Sequence, residues 1–350
     1  MNTKVLIVDD SAYTRQIIRN IIEQNLNLEV VGIASDGIDA MAKTLRLKPD
    51  IITLDFEMPE MDGFSFLRWL MRERPTPVIM VSSHNDSKTV FKALELGAVD
   101  FIAKPTKRAS IELRTIEKDL LEKLKGIKTI RLDKLSKNLE LLERGQSPER
   151  SGPHGKQRHI EVVAVGSSTG GPAALQIILT RLPADFDAAV VVSQHMPKGF
   201  TGPLAERMNK LSPLHIKEAV DMDPVEPGTV LICPGGYHLG LRKRGAKVVT
   251  FLKEGGLDDK YTPSVDFMMT SASEIYGSRV MGVILTGMGN DGRSGMVEIK
   301  NKGGYTIAES EDTAVVFGMP AEAIKAGGVE SVLPLPDIPA AITRVVSHRE

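Results

Sequence analysis

Five short runs, KVLIV at 4–8, EVVGIA at 29–34, IITL at 51–54, PVIMV at 77–81 and VDFIA at 99–103, alternate with longer stretches of helical spacing. No other feature limits the fold as strongly. Short runs rich in β-branched residues read as strands. Such strands separated by helices make a parallel sheet with helices on both sides, so residues 1–125 read as a (βα)5 domain of the α/β class. Between the first two runs, Ile17, Ile18, Ile21 and Ile22 fall on one face of a helix expected over 14–24. The last helix is expected near 110–125.

Beyond it the pattern breaks into amphipathic fragments containing Leu135, Leu139 and Leu142, followed by RGQSPERSGPHGKQRH at 144–159. Pro, Gly, Ser and charge at this density cannot bury enough surface to fold alone, so 126–158 is expected to be an interdomain linker. A second series opens with IEVVAV at 160–165 and continues with strand candidates at 188–193, 229–232, 247–252 and 280–285. Residues 159–350 are therefore expected to form a doubly wound, mostly parallel α/β domain.

Composition excludes several functions. The 350 residues suit two or three domains, and 42% hydrophobic with 25% charged residues is ordinary for a globular chain. A net charge of -1 offers no global attraction to nucleic acid or anionic lipid. The single cysteine, Cys233, excludes an internal disulfide and a cysteine zinc site and fits a reducing compartment. No apolar run approaches the roughly 18 residues of a membrane span, and the N-terminal run is too brief for a signal peptide, so a cytoplasmic protein without membrane insertion is expected.

Asp9 and Asp10 follow the first strand, Asp55 the third, Ser82 and Ser83 the fourth, and Lys104 with Pro105 the fifth. Parallel strands bring these carboxyl ends to one edge, where open α/β sheets bind ligands. Three neighbouring carboxylates repel one another, and a hard divalent cation such as Mg²⁺ relieves that repulsion with oxygen ligands. VDDS, LDFEMPEMDG, VSS and AKP together resemble the receiver domain of response regulators over residues 3 to about 125. The resemblance implies Asp55 as phosphoacceptor, with Asp9, Asp10, Asp55 and the backbone carbonyl of Glu57 holding Mg²⁺. It further implies Lys104 as partner of the phosphoryl group, Ser82 as the hydroxyl that shifts on activation, and Phe101 as the aromatic that repacks.

GSSTGG at 166–171 joins a strand to a helical run with Pro172 at a first-turn position. Such a turn either holds the Ser168 hydroxyl outward as a nucleophile or cradles a phosphate on its backbone N–H groups. His195 in SQHMPKGF and Asp291 in TGMGNDG also follow strands, which brings a hydroxyl, an imidazole and a carboxylate to one edge. That set activates serine: the imidazole takes its proton and the carboxylate fixes the tautomer. The chain order Ser, His, Asp is not that of the α/β-hydrolase fold. PSVDFMM and GGYHLG read as a core segment and a hairpin turn.

GSSTGGP, SQHMPKGFT, PSVDFMM, GVILTGMGNDG and VVFGMP, in this order behind a receiver, resemble the chemotaxis-specific protein-glutamate methylesterase family over about 159–346. The resemblance implies Ser168 as nucleophile, His195 as base and then acid, Asp291 as orienting carboxylate, and backbone N–H groups near Thr169 and Met288 as oxyanion donors. Ser167 stands where the family more often has alanine. Also implied are hydrolysis of glutamate methyl esters on chemoreceptors, deamidation of receptor glutamines, a chemotaxis histidine kinase as phosphodonor, a monomer, and no cofactor in the esterase domain. A receiver that covers the esterase site until phosphorylated would explain why both share a chain. A DNA-binding output would instead need a basic helix-turn-helix of about 60 residues, and an adaptor domain would keep the fold without the chemistry.

Overall fold

A computed structural model describes residues 2–82, 87–104, 111–143, 159–256 and 258–346. The chain divides into two units, Met1–Ser136 and Lys137–Glu350.

The first unit alternates strand and helix: β1 (Thr3–Val8), α1 (Ala12–Glu23), β2 (Leu28–Ala34), α2 (Gly37–Leu47), β3 (Ile51–Leu54), α3 (Gly63–Glu73), β4 (Val78–Ser82), α4 (Ser87–Glu95), β5 (Asp100–Ala103) and α5 (Ile111–Lys125). Its five strands lie parallel in the order β2-β1-β3-β4-β5. The central strands are buried throughout because helices cover both faces, which is why their sequences lack alternation. Ile18, Ile21 and Ile22 of α1 enter the core beside Val5, Ile7, Ile51 and Ile79, with Ile17 half-buried against them. Three of the helices start on side-chain caps from Ser11, Asp36 and Asp62, each satisfying a backbone N–H of the first turn. Gly63 has no substitute at the head of α3, since a Cβ there would lie 2.4 Å from the Asp55 carbonyl oxygen.

The helix α6 (Leu132–Glu143) lies within the segment expected to be linker and carries the division between the units. Its C-terminal half belongs to the second unit: Asn138 Nδ2 donates to the Thr313 carbonyl at 3.2 Å. Residues 144–158 lie outside the described residues.

The second unit contains β6 (Val162–Ser167), α7 (Gly171–Leu179), β7 (Ala189–Gln194), α8 (Thr201–Leu211), β8 (His215–Glu218), β9 (Thr229–Ile232), β10 (Tyr237–Arg244), β11 (Lys247–Glu254), α9 (Val265–Tyr276), β12 (Val280–Ile284), α10 (Arg293–Asn301), β13 (Tyr305–Glu309), α11 (Met319–Lys325), β14 (Ser331–Leu333) and α12 (Ile338–Val346). Seven strands form one parallel sheet in the order β14-β13-β12-β6-β7-β9-β8. On one side its core joins Val162, Ala164, Val191 and Ile284 to Val265, Met268 and Met269 of α9. The antiparallel pair β10-β11 corrects one expectation: GGYHLG is not the hairpin turn but leads into its first strand. The turn lies at Gly245 and Ala246, where glycine supplies a φ of +61°.

Candidate active site

In the first unit the ends of β1, β3 and β5 assemble the acidic group. Asp9 and Asp55 are buried and Asp10 is exposed, and one oxygen of each lies within 4.8 Å of the others. Lys104 Nζ lies 2.7 Å from Asp55 Oδ2 and 3.3 Å from Asp9 Oδ2. Burial, and then the Asp55 charge, pushes the Asp9 carboxyl up to about 6 despite Lys104. Burial likewise holds Asp55 above the usual carboxylate range, outweighing its bond to Lys104. Burial alone would depress the lysine, yet its contacts with Asp55 and Asp9 hold it above its ordinary value. One ammonium thus pairs with two of the three carboxyl groups. Asp9 Oδ2 is buried, and Lys104 Nζ at 3.3 Å faces it as an ion-pair partner without the geometry of a hydrogen bond. An all-oxygen donor set with surplus negative charge fits a hard divalent cation.

Ser82 is buried at the end of β4, and its carbonyl accepts the Lys104 N–H at 2.6 Å. Phe101 is turned inward at 2% exposure, with its carbonyl accepting from Lys123 Nζ at 2.6 Å. Glu57 is exposed. Ser83, His84 and Pro105 lie outside the described residues.

In the second unit Ser168 sits one residue past β6, and Gly170 with φ +79° turns the chain into α7. The register of the sheet pairs Ser167 with Gln194, so Ser168 and His195 occupy equivalent positions at adjacent strand ends. The Ser168 N–H donates to the Thr286 carbonyl at 3.0 Å, which ties the serine turn to the segment after β12. The same segment carries Asp291, whose Oδ2 lies 2.8 Å from His195 Nε2. Nε2 is thus engaged by the carboxylate, and Nδ1 is the ring nitrogen turned away from that bond.

Asp291 is held from several sides. Its carboxylate accepts from the Val265 N–H at 2.6 Å, the Asp266 N–H at 2.9 Å and Ser264 Oγ at 3.1 Å, all at the N-terminus of α9. Burial by itself would raise this carboxyl, but His195 and these amides outweigh it and hold the group below the usual carboxylate range. Tyr261 stacks on the His195 ring, with centroids 4.9 Å apart and planes at 6°, and its hydroxyl donates to Asn290 Oδ1 at 3.3 Å. Imidazole orientation is thereby fixed by a bond on its edge and a ring on its face.

Ser167 is fully buried, and its Oγ donates to Gln194 Oε1 at 2.6 Å, while Gln194 Nε2 donates to the Ser168 carbonyl at 3.0 Å. Its hydroxyl is committed to the scaffold of the turn. Thr169 follows Ser168, and Met288 follows Gly287, whose N–H is committed to the Val316 carbonyl at 3.0 Å. Gly287 packs directly on the serine turn, since a Cβ there would lie 2.8 Å from Ser168 Cβ.

Residues 163–342 match the family model described as CheB methylesterase, and residues 5–115 match the response regulator receiver domain. The chain belongs to the CheB methylesterase family. Similar proteins include a protein-glutamate methylesterase/protein-glutamine glutaminase of Geobacter sulfurreducens, 48% identical over 349 residues, covering 95% of this chain and 94% of that one. A protein of the same description from Thermotoga maritima is 42% identical over 350 residues, covering 98% of both chains. The crystal structure of the Thermotoga maritima CheB methylesterase catalytic domain is similar to the second unit, with 46% identity and a TM-score of 0.52, covering 54% of this chain and 100% of that one.

Within this methylesterase fold, reading the sequence missed the supports of the site: Gln194, Tyr261, Thr286 and the first turn of α9. PSVDFMM was expected to be core, and Val265, Met268 and Met269 are buried. It is also the turn whose amides hold Asp291. Ser264 directly before an apolar run, with Asp266 two residues on, was the available sign of a helix N-terminus.

Proposed function

We propose that the chain is a protein-glutamate methylesterase and protein-glutamine glutaminase, with Ser168 as nucleophile and Asp55 as the phosphoacceptor that controls it. The bond of 2.8 Å between His195 and Asp291, beside a serine turn on the neighbouring strand, carries this reading.

Ser168 Oγ attacks the carbonyl carbon of a glutamate methyl ester while its proton passes to His195 Nδ1. Asp291, held ionised, stabilises the imidazolium through Nε2. The Thr169 and Met288 amides receive the oxyanion, where one such donor is worth roughly 10²–10³ in kcat. Collapse expels methanol, which takes its proton from His195 and leaves an acyl-enzyme. Water deprotonated by the same imidazole then attacks, and release of Ser168 yields the free glutamate. A glutamine side chain follows the same course with ammonia as leaving group.

In the first unit Asp55 would take a phosphoryl group from a histidine kinase or a small phosphodonor. Asp9, Asp10, Asp55 and the Glu57 carbonyl would hold Mg²⁺, which when bound neutralises charge on the transferring group. Lys104, 2.7 Å from Asp55, is placed to pair with the phosphoryl oxygens. Ser82 and Phe101 are the residues through which the added charge would be read. The substrates are methyl-accepting chemoreceptors, met by a monomeric cytoplasmic protein.

Incubating the full chain with methyl-labelled receptor membranes, with and without a small phosphodonor, tests substrate and control together. Methanol release that rises with the donor and disappears in Ser168→Ala is the expected result. Hydrolysis undiminished in Ser168→Ala would remove the mechanism.

A further inference from the structure

Glu309 ends β13, a strand buried at every position, and is itself fully buried. A carboxyl in such a place is costly unless it satisfies donors that nothing else reaches. Its Oε2 accepts the Thr286 N–H at 2.8 Å, and its Oε1 accepts from Thr313 Oγ1 at 3.0 Å. Thr313 is anchored in turn, its Oγ1 accepting the Leu335 N–H at 2.9 Å.

Thr286 is the point where this carboxyl meets the esterase site. Its carbonyl accepts the Ser168 N–H at 3.0 Å, and its Oγ1 donates to the Thr169 carbonyl at 2.9 Å and accepts the Val316 N–H at 3.0 Å. Two residues on lies Met288. Thr286, held at its N–H by Glu309, therefore ties the Ser168 N–H and the Thr169 carbonyl to the segment that carries Met288. We propose that Glu309 is a positioning residue of the esterase: its carboxyl fixes Thr286 at the N–H and, through the carbonyl and hydroxyl of that residue, the mutual placement of Ser168, Thr169 and the segment leading to Met288. The proposal rests on Ser168 being the nucleophile. Burial pushes this carboxyl up to about 7 against both of its hydrogen bonds, so what the site requires is an acceptor at the right reach rather than a permanent charge.

The test compares three variants of the full chain, with folding followed by circular dichroism and kcat and KM taken from methanol release. Glu309→Gln keeps the length and an acceptor oxygen, and its kcat is expected within about threefold of the original. Glu309→Asp keeps the acid but withdraws it by one methylene, and Glu309→Leu removes the acceptor. Both are expected to lower kcat by roughly 10- to 100-fold with KM changed less than about twofold, because misplacement near 1 Å costs on that scale. An effect on folding alone would not rank the variants by reach, nor fall on kcat rather than KM. Full kcat in folded Glu309→Asp or Glu309→Leu overturns the proposal, and if Glu309→Leu does not fold, equal kcat in the Asp and Gln variants overturns it. Ser168→Ala is measured alongside: activity there would remove the nucleophile assignment, whereas an inactive Ser168→Ala with fully active Asp and Leu variants would remove the positioning role alone.

Discussion

Asp291 spends its lone pairs on the His195 ring, the amides of Val265 and Asp266, the Gly292 N–H and the Ser264 hydroxyl. Replacing it with asparagine preserves shape but points an NH₂ at donors, so either the ring or the helix terminus loses its acceptor. Asp291→Asn is expected to lower kcat by about 10³–10⁴-fold with the fold retained, as measured by methanol release and circular dichroism. Glu309 makes a different prediction at the same scale, since its two hydrogen-bond partners, the Thr286 amide and the Thr313 hydroxyl, are both neutral. An exposed glutamate titrates near 4.5 and this one near 7. Well below 4.5 both folded and unfolded chains hold the proton and nothing changes. As pH rises between those values the unfolded chain releases the proton and the native chain keeps it, so native stability falls, then levels above 7. The loss is at most about 3 kcal/mol. Urea unfolding of Glu309→Gln against the original chain is expected to show a difference that grows in favour of the variant across this interval.

At the scale of elements, the N-terminus of α9 is the piece on which the site depends most visibly. Ser264 Oγ both accepts the Phe267 N–H at 3.2 Å, capping the helix, and donates to Asp291 Oδ1. Ser264→Ala is expected to cost about 1 kcal/mol in denaturant unfolding. It should also lower kcat several-fold, because Asp291 keeps its amides but loses a lateral restraint. This helix terminus also shows where the sequence stops being readable. The strand ends carrying Asp55, Ser168, His195 and Asp291 were legible because parallel strands collect their carboxyl ends on one edge, so side-chain chemistry and position announced each other. The donors around Asp291 are backbone N–H groups, which any residue supplies, and nothing in PSVDFMM besides the serine distinguished a helix terminus from core. HIKE at β8 and SVL at β14 are too short for a period to emerge. Glu309 and Thr286 lie 23 residues apart and meet only because β12 and β13 are neighbours in the sheet.

For the whole molecule, the question is what makes a receiver and an esterase useful in one chain. The carboxyl cluster of Asp9, Asp10 and Asp55 already carries more negative charge than Lys104 offsets. A phosphoryl group on Asp55 replaces the single carboxylate charge by about -1.5 to -2 and brings three acceptor oxygens. Lys104 is the cation already in place, and Ser82, buried with its carbonyl bonded to the Lys104 amide, is the adjacent hydroxyl. A change that begins there has β4 and β5 as its first elements, and Phe101 of β5 is tied through its carbonyl to Lys123 of α5. Asp55→Asn removes the carboxylate proposed to take the phosphoryl group, and Lys104→Met removes the cation 2.7 Å from it. Both are expected to reduce the ratio of methanol release with and without a small phosphodonor to about one, while the original chain responds severalfold. The readout is that ratio in the full chain on receptor membranes. A donor response that survived in Asp55→Asn would mean the phosphoryl group is read at some other residue.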